Sequence, residues 1–141
     1  MQKEIANTLS TLQFQGYKVN KLFFEENTDC TSSKYNVCPQ FLNEIIQVDE
    51  NVFDVVLGCR ILPTEEEPFP FTAEVIITGR FSIDSASPDK ETLLNENSIA
   101  ILFPYLRSTM SMLVLNSNHK PLILPTFNIV EVLKQANNEE E

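Results

Sequence analysis

Between Phe69 and Ile83 every odd position is apolar or glycine: Phe69, Phe71, Ala73, Val75, Ile77, Gly79, Phe81 and Ile83. The even positions are polar or punctuating, with Ile76 the exception. A period of two this long predicts an extended antiparallel strand with one face on a core and the other on water. The same alternation places Phe53, Val55, Leu57, Cys59 and Ile61 on one face, opposite Asp54, Val56, Gly58 and Arg60. The charged, proline-bounded segment from Pro63 to Pro68 is short enough to join these two strands as a hairpin.

Leu12 to Glu26 reads as a first strand. Its apolar phase changes twice, from Leu12 and Phe14 to Tyr17 and Val19, then to Leu22 and Phe24. Each change requires an irregularity, which predicts a bulge or bend near Gly16 and another near Asn20. Asn27 to Gln40 is loop by composition, Phe41 to Val48 is a weaker strand, and Asp49, Glu50 and Asn51 form a turn. Four strands joined by connections too short for a crossover helix predict an antiparallel meander.

The period then lengthens. Ser87 offers an N-cap, with Pro88 at the first helical position and acid in the first turn. Ile99, Leu102, Phe103, Leu106, Met110, Leu113 and Val114 follow the spacing of one helix face. Pro104 lies inside that stripe, so the helix restarts near it or kinks there. Asn116 to Pro121 ends the helix, and residues 122–125 are an extended apolar link. Asn128 can cap a last helix carrying Ile129, Val132, Leu133 and Ala136. The fold class is thus α+β: a four-stranded antiparallel sheet backed by a long helix and a shorter C-terminal one. At 141 residues the chain fits a single domain, with residues 1–9 and 137–141 expected to be flexible.

Charge narrows the function. Ten Lys and Arg against twenty Asp and Glu give a net charge of −10. No basic patch is visible, so nucleic-acid binding lacks its main driving force. The acidic balance favours basic partners, and solubility alone accounts for it equally well. No apolar run approaches the roughly 20 residues that span a bilayer, and Met1 to Thr11 lacks a signal-like apolar segment. Cys30, Cys38 and Cys59 leave an odd thiol with no C-x-x-C pair, which suits reduced thiols in a cytoplasm.

Reactive chemistry is sparse. His119 is the lone histidine, placed in a turn, where a loop role outweighs a general base. No His or Cys pair has metal-ligand spacing. Three glycines form no phosphate-cradling loop, and no nucleophile elbow is present. Neither an enzymatic site nor a cofactor is expected. Ten phenylalanines are more than one sheet layer buries with ease, so several are expected at the surface.

Four segments, in order, resemble the SecB family of protein-export chaperones. They are Val52 to Leu57; Glu74-Val75 with Gly79 and Phe81; Ile101-Leu102-Phe103-Pro104-Tyr105 with Arg107; and Leu122 with Leu124, Pro125 and Asn128. The resemblance covers about residues 12–135. It implies a dimer of dimers with the long helices at the tetramer centre. It also implies ATP-independent holding of unfolded, export-destined precursors in apolar grooves, for delivery to the SecA motor through an acidic face of the sheet. Glu25 and Glu74 match acidic motor-contact positions, whereas a third such position is Lys21 here. Ser98-Ile99 replaces a Cys-Pro pair before the long helix, and Asn116 to His119 replaces a glycine-containing turn. These departures mark a divergent member.

Phe41, Leu42, Ile46, Leu122, Leu124, Phe127 and Ile129 are the candidate client-binding residues, although each could equally be core. Two functions remain open. One is a general holdase for non-native chains; the other is a dedicated chaperone or interaction protein for a single partner, such as an antitoxin, uncoupled from SecA.

Overall fold

The computed structural model describes residues 12–30, 37–66, 68–119, 124 and 128–140, with side chains as far as Gln135. Four strands form one antiparallel sheet: β1 (Gln13–Glu26), β2 (Gln40–Asp49), β3 (Val52–Ile61) and β4 (Phe71–Ser82). Their spatial order is β1-β4-β3-β2. The meander therefore holds for β2, β3 and β4, while β1 skips its sequence neighbour and pairs with β4. The register shows why. Phe14, Tyr17, Val19, Leu22 and Phe24 stand opposite Phe81, Gly79, Ile77, Val75 and Ala73, the inward residues of β4.

This alignment needs two irregularities, and both fall where the phase of the pattern changes. Register shifts lie between Phe14 and Tyr17 and between Val19 and Lys21. Gly16, in the first, has a φ of 102°, a left-handed conformation that glycine adopts without a Cβ penalty. Without these bulges the strand would turn half its apolar side chains outward.

Helices roof one face. A short turn, α1 (Lys90–Thr92), leads through a π-helical turn, Leu93–Asn97, into α2 (Ser98–Asn116). The helix begins at Lys90, with Asp89 as its N-cap residue, rather than directly after Ser87. Ser87 instead closes a turn, donating its N–H to the Asp84 carbonyl and accepting from Lys90. Pro104 lies within an unbroken α2. Both it and Ala100 are exposed, so the carbonyl that loses its partner faces water. α2 stops at a Schellman arrangement: the Asn118 N–H reaches the Leu115 carbonyl and the His119 N–H reaches Val114. Asn118, at φ 64°, takes the left-handed position that glycine usually fills. Helix α3 (Ile129–Glu140) follows, and the Asn128 side chain accepts from the Glu131 N–H at 3.4 Å.

The core lies between sheet and helices. Val55, Leu57, Cys59, Ala73, Val75, Ile77 and Phe81 meet Ile99, Leu102, Leu106, Met110 and Val114, all fully buried. α2 lies over β4 and β3 and reaches β1 only slightly. Aromatic rings knit the flank, with Phe14–Phe81 centroids 5.2 Å apart and Phe24–Phe71 5.0 Å apart. The helical stretch Lys90–Asn116 is long and apolar enough, by length and composition, to cross a membrane. Here one side of it is the core face of the sheet's roof.

Candidate functional site

Three surfaces carry what the core does not absorb. The first runs from β1 onto α2. Because α2 covers β3 and β4, the inward side of edge strand β1 is left partly open, and Tyr17, Val19 and Leu22 remain exposed. Tyr17 stacks on Tyr105 of α2 with centroids 4.6 Å apart. Tyr105, Met112 and Leu115 then continue the apolar surface along the outside of the helix. Within α2 the single charged residue is Arg107, and its guanidinium lies 5.9 Å from the Phe103 ring. A helix apolar on both sides is built to be covered on both sides. That scarcity of charge is the sequence signal for Tyr105, Met112 and Leu115, which lie off the core-facing stripe.

The second surface is a shallow groove of about 390 Å³ between the start of α2 and α3, lined by Glu96, Asn97, Ala100, Ile101 and Val130. Lys134 bridges it to Glu96 at 2.7 Å. Of the client-binding candidates, Phe41, Leu124 and Ile129 lie on this helical side. Leu124 is fully buried and Ile129 nearly so, both within the core cluster that also holds Leu133 of α3. Phe41 is half-buried, edge-on to Phe103 at 5.9 Å. Leu122 and Phe127 lie outside the described residues.

The third surface is the outer face of the sheet, where Leu42 and Ile46 point. Alternation puts them on the opposite side from Phe41, so the candidates do not form one site. Moving from β2 to β1, one rung holds Leu42, Gly58, Ile76 and Lys21; the next holds Glu44, Val56, Thr78 and Lys18. Glu74 is also outward, yet only 3% exposed. Lys21 bonds one of its carboxylate oxygens and the Arg60 Nε the other, the latter at 2.6 Å. The Lys21 hydrogen bond, followed by that from Arg60, holds its carboxyl below the usual range against the opposing effect of burial. Arg80 forks onto Asp54 at 2.8 and 3.1 Å. Glu25 is exposed at the far end of β1.

The outer face of the described sheet is therefore mixed in charge. Five carboxylates, Glu25, Glu44, Asp49, Asp54 and Glu74, share it with four cations, Lys18, Lys21, Arg60 and Arg80. Lys21, already a departure in the sequence, is the group that closes over Glu74. Nor do the phenylalanines spread outward: of the described ones, Phe23 alone is exposed. Ring pairing absorbs most of the others, and Phe53 is buried with Ile83 and Leu94. Among the described residues no three His, Cys, Asp or Glu gather as metal ligands. His119 packs on Phe71, with ring centroids 4.9 Å apart, and its Nε2 lies 2.6 Å from Glu26, tying the end of α2 to β1. Burial pushes the Cys59 thiol up to about 12, which makes it an inert core group.

A one-layer antiparallel sheet roofed by helices, with apolar strips left at its surface, defines an α+β interaction scaffold. The chain belongs to the SecB family: the family described as Preprotein translocase subunit SecB matches residues 10–140. A SecB protein-export protein of Saccharophagus degradans is 30% identical over 103 residues, which are 72% of this chain and 61% of that protein. This chain thus spans about three fifths of that relative's length. An uncharacterized protein of Methanocaldococcus jannaschii is 30% identical over 127 residues, 71% of this chain and 82% of the relative. In fold, the chain matches a Mycobacterium tuberculosis SecB-like chaperone solved with a peptide from the HigA1 antitoxin. The TM-score is 0.66 at 14% identity, covering 86% of this chain and 94% of the other.

Proposed function

We propose that this protein is an ATP-independent holdase that binds non-native polypeptide segments on apolar surface, without a cofactor, in the cytoplasm. The observation that carries the reading is the set of large hydrophobic side chains left exposed by a well-filled core, from Tyr17, Val19 and Leu22 to Leu42, Ile46 and Val48. Contacts of this kind stabilise by about 25 cal/mol per Å² of apolar area and need no sequence code. Membership of the SecB family supports the same reading.

The continuous strip of β1 and α2 supports a second copy of the chain as its cover, leading to a homotetramer built as a dimer of dimers. Clients then use the surfaces that assembly leaves open: the groove beside Ile101 and Val130, the flank at Phe41, and the outer side of β2 at Leu42 and Ile46. A chaperone dedicated to one partner is the second reading. The closure of Glu74 by Lys21 and Arg60 favours it over export through SecA, because the carboxylate at the position that the resemblance implies for motor contact is already paired.

The test is suppression of aggregation of a chemically unfolded, slow-folding protein at stoichiometric amounts without nucleotide. Suppression is expected, together with a tetramer by light scattering. Failure to suppress aggregation would exclude the general holdase and leave the dedicated partner.

A further inference from the structure

The two bulges of β1 do more than keep its register. They bracket Tyr17, Lys18 and Val19, and beside them the outer sheet surface opens into a recess of about 430 Å³. Its lining includes Gly16, Lys18, Asn20, Asp54, Thr78 and Arg80. The hydrogen bonds already made leave it rich in donors. Asp54 is occupied by Arg80, and the Asn20 carbonyl oxygen accepts from the Thr78 hydroxyl, which leaves the Asn20 amide N–H groups available. Among the described residues Lys18 has no carboxylate within ion-pair distance, and part of the Arg80 guanidinium fork is unused. Gly16 adds no wall: a Cβ built there meets nothing within 4 Å.

Across the sheet from this recess the surface changes character. Val56 adjoins Thr78, Ile46 shares a rung with Asp54, and Leu42 shares one with Ile76. β1 and β2 lie three strand spacings apart, roughly 14 Å, the reach of about four residues of extended chain. Glu44 on β2 repels acid at the apolar end, which fixes the direction of anything lying across.

We propose that the outer face of the sheet is a second docking surface, for an extended polypeptide segment of a partner carrying an Asp or Glu four residues from a large aliphatic side chain. The carboxylate enters the recess at Lys18, Asn20 and Arg80, and the aliphatic group rests on Ile46 and Leu42. Charge complementarity within the recess selects this occupant: two cations, Lys18 and Arg80, face a single carboxylate, Asp54, which Arg80 already pairs. The aliphatic end shares Leu42 and Ile46 with the client surfaces of the holdase reading and rests on it to that extent, whereas the acid-binding end at Lys18 and Arg80 belongs to this proposal alone.

The full chain is titrated with a fluorescent ten-residue peptide, amidated at its C-terminus, bearing one Asp and a Leu four positions later. Replacing Asp by Asn should weaken binding about tenfold or more, since charge-assisted bonds carry that much. Replacement by Lys should abolish binding. Lys18→Glu should abolish binding, and Lys18→Gln should weaken it about tenfold while leaving aggregation suppression unchanged. A leucine moved to the adjacent position should bind several-fold less well. Equal binding of the Asp and Asn peptides, or an unaffected Lys18→Glu variant, would overturn the proposal. So would binding that requires a free C-terminal carboxylate, which would make the recess a terminus-capturing site.

Discussion

Gly79 and Gly58 make a matched pair for testing how the core is closed. A Cβ added at Gly79 falls 2.4 Å from Leu102 Cδ2, 3.0 Å from Cδ1 and 3.1 Å from Cγ. Leu102 is fully buried between sheet and helix, so it has nowhere to turn. Overpacking of this kind costs about 1–3 kcal/mol. The restricted unfolded chain returns only about 0.4–1 kcal/mol. Gly79→Ala should therefore destabilise by roughly 1–2 kcal/mol, about 3–6 °C in Tm for a domain of this size. At Gly58 the added Cβ meets Leu42 Cγ at 2.9 Å, but Leu42 is 38% exposed and can swing into solvent. Gly58→Ala should stay within about 0.5 kcal/mol of the parent. Urea unfolding at fixed protein concentration reads both, because assembly also shifts stability. In a Leu102→Ala background the Gly79→Ala penalty should vanish, since the clashing atoms are gone. Equal midpoints for the two glycine variants, or an undiminished penalty without Leu102, would refute the account.

Glu74 gives a pH prediction with a fixed sign. Its folded-state pKa is lowered by Lys21 and Arg60, so its contribution is present above the ordinary carboxylate pKa and lost as pH falls through the folded value. Glu74→Gln should cost about 1–3 kcal/mol at neutral pH, and the two urea midpoints should converge in acid; a gap that persists there contradicts the clamp. Thiol titration should find Cys59 unreactive until unfolding, with the exposed Cys38 modified first; early modification of Cys59 would mean that its strand is not buried. Asn118→Gly should stabilise the end of α2 by about 0.5 kcal/mol, since glycine takes a positive φ without strain; a loss would show that the Asn side chain has a role of its own.

The sequence was most legible where one rule decided. Period-two alternation located β3 and β4, and the phase changes at Gly16 and Asn20 located both bulges, because a strand that must bury one face cannot change phase without an extra residue. Asn128 as a cap followed from its side chain's ability to accept a backbone N–H. Candidate sites were less legible. Phe41, Leu42, Leu124 and Ile129 are all apolar, yet they end half-buried, outward, and twice in the core, because burial depends on what lies opposite.

What the chain alone determined is its class, its elements and its kinship: alternation, helical periodicity and the Leu102-Phe103-Pro104-Tyr105 segment are local and need no partner to be read. The tertiary structure decided that β1 lies beside β4, that Glu74 is closed between Lys21 and Arg60, and that Lys18 and Arg80 meet at one recess. Each of these joins residues far apart in sequence. Periodicity assigns a side chain to a face, but only strand order and register assign it a neighbour, and an ion pair depends on the neighbour.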